Sequence, residues 1–428
     1  MHSFSLTAFC ILMVSWQVVE LCPIPADQQP LVDDLLRLMV NSIDKQFSPN
    51  PSILIGLRLA QNHSLAKEKQ LLQALKDDAV KRVENGLEFT SGQVALYVMA
   101  ISACCENPAK VLKVKNIDLV KILSQKMEDE MEEMETTGYP LSNLYQVGLG
   151  GLALCQHVMI PYPIVHKLLN NPAFYEAIAD SHGFEDTVAV LAMAFTCIRE
   201  QFTWDQKRRI DSTLNTMIKQ LVNQTKSDGI IGNIYSTGLA VQALTGAKTF
   251  YKTSDWDYTQ TIQKLLKEIP NGAFNNPMAA SQVIPSLVDR TYLDVNKLQC
   301  SLDTDNLDMT EPTSVPATTE KPVNISVKYT VTNAVANNFT DSITISVRKG
   351  SVLLRVMEEA QRQDPEKFRF TVESTSWGPF VTSIQGVTGS TNDKTYWQFL
   401  SGTVPLEQGV GDYVVHDGEH IIAKFTTY

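Results

Sequence analysis

The chain has 428 residues and a mass of 47.6 kDa, more than one ordinary core accommodates, so two domains are expected. Hydrophobic residues make up 44% and charged residues 19%, which excludes a disordered or membrane-embedded chain, and seven cysteines with 19 prolines and 21 glycines exclude collagen-like and disulfide-knot classes. Thirty-six Lys and Arg against 47 Asp and Glu leave a net charge of −11, a sign that repels phosphate backbones and argues against nucleic-acid partners.

Phe4 to Trp16 is an apolar run of the length of a secretion-signal core, too short to span a bilayer. Residues 1–21 therefore read as a signal peptide cleaved between Val18 and Leu21, which removes Cys10. No later stretch reaches the apolar length of a membrane span, so an exported, extracellular, soluble protein is expected. Export makes Cys22, Cys104, Cys105, Cys155, Cys197 and Cys300 readable as disulfide partners. They lack the CxxC pairs of a zinc site, and the vicinal Cys104 and Cys105 would form a strained ring if bonded to each other. Four glycosylation sequons open at Asn62, Asn223, Asn324 and Asn338, and in an exported chain they become acceptor sites.

Residues 29–290 read as helix after helix. A stretch rich in small apolar residues recurs from Gly92 (GQVALYVMA), Tyr145 (YQVGLGGLAL), Asp186 (DTVAVLAMAF) and Ser236 (STGLAVQAL), and more loosely over Met278 to Leu287. With Ala100, Ala153, Ala194, Ala243 and Ser286 as equivalent positions, the steps are 53, 41, 49 and 43 residues. That is the period of a helix pair, which buries its face only by stacking. Pro51 to Ala60 reads as a sixth, earlier copy, and six pairs with small-residue inner helices predict a closed α6/α6 barrel. Seven residues before the reference positions stand Gln93, Gln146, Thr187 and Ser236, with Asp186 one step earlier. A closed barrel gathers these near one mouth. Ser, Thr and Asp there also serve as helix caps, whereas glutamines cap poorly and so favour a ligand-binding rim. Lys126 to Glu135 (KMEDEMEEME) sets Met127, Met131 and Met134 on one helical stripe facing the core, with a solvated acidic face opposite.

The barrel is expected to occupy residues 22–300. Residues 301–324 have three prolines, five threonines and no aromatic residue, the composition of a flexible linker. Residues 325–428 then shift to period two, with strands from Ile325, Ile343, Phe368 and Ile421, a turn at Asp417-Gly418, and one helix over Ser351 to Gln363. This is a small, strand-rich α+β domain.

No P-loop, GxSxG elbow, HExxH or Rossmann glycine signature occurs, and seven scattered histidines form no dyad, so an enzyme is not expected. The alternative is a secreted α6/α6-barrel glycoside hydrolase using Asp186, but no second carboxylate emerges in a matching position.

DTVAVLAMAFTC from Asp186, GIIGNIYSTGLAVQAL from Gly229, NPMAASQVIPSL from Asn276, SWGP from Ser376 and KTYWQFLSG from Lys394 closely resemble the cobalamin-transport family of intrinsic factor, haptocorrin and transcobalamin. The resemblance spans both domains and is strongest toward haptocorrin and intrinsic factor. It implies a non-enzymatic, monomeric carrier holding cobalamin, with its cobalt, between the two domains for delivery to a cell-surface receptor. It also implies ligand contacts at Asp186, Asn233 and Gln282, and further ones at Gln93, Tyr145 and Gln146. In the small domain it points to Ser376, Trp377, Gly378, Pro379, Phe380 and Val381. It points as well to Trp397, Gln398, Phe399, Leu400, Ser401, Gly402, Thr403, Val404, Pro405 and Leu406, with the core of the small domain as the alternative place for Trp377 and Trp397. Cys105 with Cys300 and Cys155 with Cys197 match family disulfides, while Tyr258 stands where the family has the partner of the N-terminal cysteine. Transcobalamin's cobalt-binding histidine falls at Gly183 here, one position from His182, which reads either as a loop histidine exposed to solvent or as a candidate axial ligand.

Overall fold

The structure is a computed structural model that describes residues 24–25, 27–45, 48–111, 117–179, 185–310, 324–333, 335, 339–375, 378–390, 395–406, 408–411 and 413–427. The signal segment, Cys22, His182, Asn338, Ser376 and Trp377 lie outside the described residues, as does 311–323 of the expected linker.

Among the described residues thirteen α-helices come first: α1 Gln29–Ser42, α2 Pro51–Leu59, α3 Leu65–Glu84, α4 Ser91–Ala103, α5 Leu119–Thr137, α6 Leu144–Cys155 and α7 Tyr162–Leu168. They continue as α8 Pro172–Ala179, α9 Glu185–Arg199, α10 Trp204–Asn223, α11 Ser236–Gly246, α12 Tyr258–Glu268 and α13 Pro277–Leu287. Two kinds alternate. The long outer helices carry a single apolar stripe, as α10 does with Ile210, Leu214, Met217, Ile218 and Leu221 buried. The inner helices are buried nearly all round: every residue of α4 except Gln93 is inside. A helix apolar on every face must be surrounded, and α2, α4, α6, α9, α11 and α13 pack successively, α13 returning to α2. The ring is closed, as the repeat predicts.

Small residues let the inner helices approach. A Cβ on Gly56 would lie 2.9 Å from the Ser281 backbone, and one on Gly238 would lie 2.9 Å from the Gln282 carbonyl oxygen. Both disulfides close at the C-terminal ends of inner helices: Cys105 follows α4 and bonds Cys300, and Cys155 ends α6 and bonds Cys197 near the end of α9. Cys104 is a free thiol, pushed up to about 12 by burial. Tyr258, in the slot of the family's cysteine, donates its hydroxyl to the Ser286 carbonyl at 3.3 Å.

The first part of the expected linker is held against the barrel. Asp303 pairs with buried Arg58, which also binds Glu68 at 2.6 Å; Leu307 donates its N–H to the His63 carbonyl and is itself buried in the barrel core. Composition could not disclose this, because a few docked side chains suffice to fix a polar segment.

The second part is built from β1 Asn324–Asn333, β2 Phe339–Arg348, α14 Leu353–Gln363, α15 Pro365–Phe368, β3 Phe370–Thr375, β4 Gly378–Ile384, β5 Val387–Thr388, β6 Thr395–Ser401, β7 Val404–Pro405 and β8 His420–Thr427. Five strands form a sheet in the order β2-β1-β8-β6-β7, with β1 and β8 parallel; β3, β4 and β5 form a second sheet. Leu353, Val356, Met357 and Ala360 of α14 are buried in a core shared with Val327, Tyr329, Ile421 and Phe425. The architecture is thus a helical barrel followed by a strand-rich α+β domain.

Candidate functional site

The N-terminal ends of the inner helices meet at one mouth, and the hydrogen bonds there define it. Asn143 caps α6 by accepting from the Gln146 N–H at 3.0 Å, and Gln146 Oε1 accepts from the Gly92 N–H of α4 at 3.1 Å. Gln93 forms a capping box with Thr90, each side chain accepting from the other's backbone N–H. The glutamines therefore do serve the helix ends, one in its own cap and the other across to its neighbour. Their sequence reading as poor caps considered only the cap position itself. Asn50 caps α2 and reaches Met278 of α13 with Nδ2.

Behind this part of the rim lies Glu130, from the acidic run of α5. It is buried rather than solvated; Oε1 accepts from Ser91 and Ser142 hydroxyls at 2.6 and 2.5 Å, and Oε2 from the Ser142 N–H at 3.0 Å. The signal was present, since position 130 falls on the same stripe as Met127 and Met134.

Next around the ring, on the neighbour of α6, stands Asp186, in the first turn of α9. Its Oδ2 accepts from the Ser236 hydroxyl of α11 at 3.0 Å, while Oδ1 is buried without a hydrogen-bond partner among the described residues. Burial pushes its carboxyl up to about 7; the Ser236 bond pulls the other way, and neighbouring Glu185 adds to the rise. Ser236 is thus a partner of Asp186 and not a cap. That role falls to exposed Asn233, whose Oδ1 accepts from Tyr235 and Ser236 N–H groups at 2.8 and 2.9 Å. Its Oδ1 being spent, Asn233 offers a ligand its Nδ2 donors. Gln282, on α13, is buried; its carbonyl accepts from Gln242 at 3.0 Å and its side-chain amide makes no hydrogen bond among the described residues. Tyr145 is buried beside Gln146 at the start of α6.

The small domain faces this mouth. Gln408 donates from Nε2 to the Tyr235 hydroxyl, immediately before α11, at 2.6 Å. Trp397 does not lie open to that side: it is 6% exposed, its Nε1 donates to the Val387 carbonyl at 2.9 Å, and its ring packs 5.1 Å from Phe425. Strand alternation explains this, because β6 is an interior strand and the tryptophan points to the shared core. Gln398, Phe399, Leu400, Ser401, Gly402 and Leu406 are half-buried, and Thr403 and Pro405 are exposed. Phe380, 57% exposed, and Val404, 65% exposed, leave apolar surface uncovered in the two segments. Gly378, Pro379 and Val381 belong to β4. Among the described residues no cluster of His, Cys, Asp or Glu could hold a metal ion.

A family profile described as "Eukaryotic cobalamin-binding protein" matches residues 4–320. The chain belongs to the eukaryotic cobalamin-binding protein family. Residues 350–427 match a second profile, described as a domain of unknown function. Mouse cobalamin binding intrinsic factor is 38% identical, covering 95% of this chain and 94% of the relative, and human transcobalamin-1 is 32% identical over 96% and 95%. A crystal structure of haptocorrin in complex with Cbi superposes with a TM-score of 0.75 at 32% identity, covering 96% of this chain and 100% of that one. Membership of this cobalamin-binding family fits the two-part architecture. The relatives named here are called cobalamin binders, which gives the hydrolase alternative no support.

Proposed function

We propose that this chain is a secreted carrier that holds a corrinoid between the barrel mouth and the small domain and delivers it to an uptake receptor. The observation that carries the reading is the buried, unpartnered Oδ1 of Asp186 at the end of the barrel that meets the small domain. An orphaned buried acceptor costs about 1–3 kcal/mol, a cost that a ligand N–H removes. Cobalamin is edged by amide side chains, so it presents such donors, together with carbonyls suited to Asn233 Nδ2 and the Gln282 amide. Phe380 and Val404 supply apolar cover on the facing side.

Export rests on the apolar N-terminal run and on the family; among the described residues no helix is long and apolar enough to cross a membrane. No catalytic step is assigned, and the protein acts as a monomer. The test is an absorption spectrum of the purified protein after incubation with cobalamin and gel filtration. A co-eluting corrinoid band at one equivalent supports the reading; a colourless protein peak, or turnover of any glycoside, overturns it.

A further inference from the structure

Away from the mouth, the small domain carries a polar recess at the free edge of its larger sheet. β2 ends the strand order, so one side of it lacks a partner strand. The recess, of about 330 Å³, is lined by Asn324, Ser346, Arg348, Ser351, Arg355 and Glu359, together with Val347. In the β1–β2 register Asn324 stands opposite Arg348 and Ser326 opposite Ser346, and all four are exposed. Residues directly opposite in an antiparallel pair project to the same face. The acceptor asparagine of one sequon, Asn324-Ile325-Ser326, therefore forms part of the wall of the recess.

We propose that the first N-acetylglucosamine residues of an N-linked glycan on Asn324 dock in this recess and cover the edge of β2. A sugar both donates and accepts hydrogen bonds through its hydroxyl and acetamido groups. The recess offers both kinds of partner: guanidinium donors from Arg348 and Arg355, hydroxyls from Ser346 and Ser351, and the Glu359 carboxylate. A bare anion would suit the arginines but not Glu359, which Arg362 at 2.5 Å keeps ionised. The volume falls at the lower end of ligand pockets, sized for a sugar or two and not for a protein segment. The tether sets the local concentration, so even weak contacts fill the site. The docked sugar also blocks an edge that could template pairing with another chain. Asn223, at the exposed end of α10, is not among the residues lining this recess and serves as the internal control.

The inference rests on export of the chain but not on its ligand. The experiment uses the full chain secreted from mammalian cells, with peptide mass spectrometry following native glycan release by a peptide N-glycosidase. Asn324 is expected to be occupied and to lose its glycan about tenfold more slowly than Asn223, the equivalent of one or two net hydrogen bonds. Arg355→Ala and, separately, Glu359→Gln should bring Asn324 close to the Asn223 rate; Arg355 is exposed, and Glu359→Gln keeps the shape of a half-buried side chain, so folding is preserved. An empty Asn324 beside an occupied Asn223, equal release rates in the wild type, or no acceleration in both variants overturns the proposal. Vacancy at both asparagines overturns the proposal as well, whereas failure to recover the chain from the medium overturns the export reading.

Discussion

Asp186 concentrates the residue-scale argument. Asp186→Asn keeps the shape and the Ser236 neighbour but replaces a carboxylate by an amide, so one charge-assisted bond to a corrinoid amide is lost. Such a bond is worth about 1.5–3 kcal/mol, so corrinoid release should be roughly 10- to 100-fold faster, as measured by displacement with excess free ligand, at unchanged circular dichroism. The pH dependence follows from the same group. Its carboxyl is raised to about 7 in the ligand-free protein, and the ionised carboxylate accepts a ligand N–H more strongly than the neutral acid does. Retention should therefore be full above pH 7 and weaken as pH falls through 7, while Asp186→Asn flattens the profile between pH 5 and 8. For folding the sign is opposite: a raised pKa favours the native state below the unfolded value of 3.8, and that contribution is lost as pH rises through 7. Asp186 was legible in the sequence because motif and repeat position agreed on it. The core placement of Trp397 was not, since an aromatic residue in a strand serves a core and a ligand face equally well until the neighbouring strands are known.

At the scale of elements, the inner helices were legible because a helix apolar on every side admits few surroundings, and their spacing gave the closed ring. Strands β4 and β6 were not read as strands: within Thr395–Ser401 only Trp397-Gln398-Phe399 alternates, and Tyr396 and Leu400 break the period on either side. Both disulfides matched the family pattern, and their placement has a physical reason. The inner helices carry the proposed contacts Gln93, Gln146 and Asp186 in their first turns, and the covalent staples lie at the other end, where they fix the ring without occupying the mouth. Cys105 and Cys300 are 195 residues apart, and a loop of that size restricts the unfolded chain by about 5 kcal/mol in the loop-entropy account. The double variant Cys105→Ala, Cys300→Ala should lose most of that in urea unfolding of the ligand-free protein. Replacing Cys155 and Cys197, which are 42 residues apart, should cost about 1 kcal/mol less on the same account. Equal losses would show that native packing, and not loop length, sets the contribution.

For the whole molecule, the division of the ligand between two bodies governs how firmly it is held. In the proposed site the barrel mouth would contribute polar partners, Asp186, Asn233 and Gln282, on one side of a large ligand, and hydrogen bonds left open to water are worth little net. The small domain contributes the exposed Phe380 and Val404 and the Gln408 contact to Tyr235, which exclude water once a ligand fills the space between. The docking of residues 303–308 on Arg58, His63 and Arg37 leaves a shorter connection to the second domain, and a shorter connection raises its effective concentration. Ligand should therefore leave slowly from the intact chain, only moderately faster after a cut within 311–323 because the bound corrinoid bridges both pieces, and fastest from the barrel alone. The barrel has its own closed ring, core and disulfides, so residues 24–310 should remain folded when expressed separately, a point checked by its helical circular dichroism. Stopped-flow displacement of cobalamin from the three forms measures the effect, and the difference should lie in the release rate more than in uptake. A separately folded barrel that releases cobalamin as slowly as the intact chain would place the whole site within the helices and remove the role given to Phe380 and Val404.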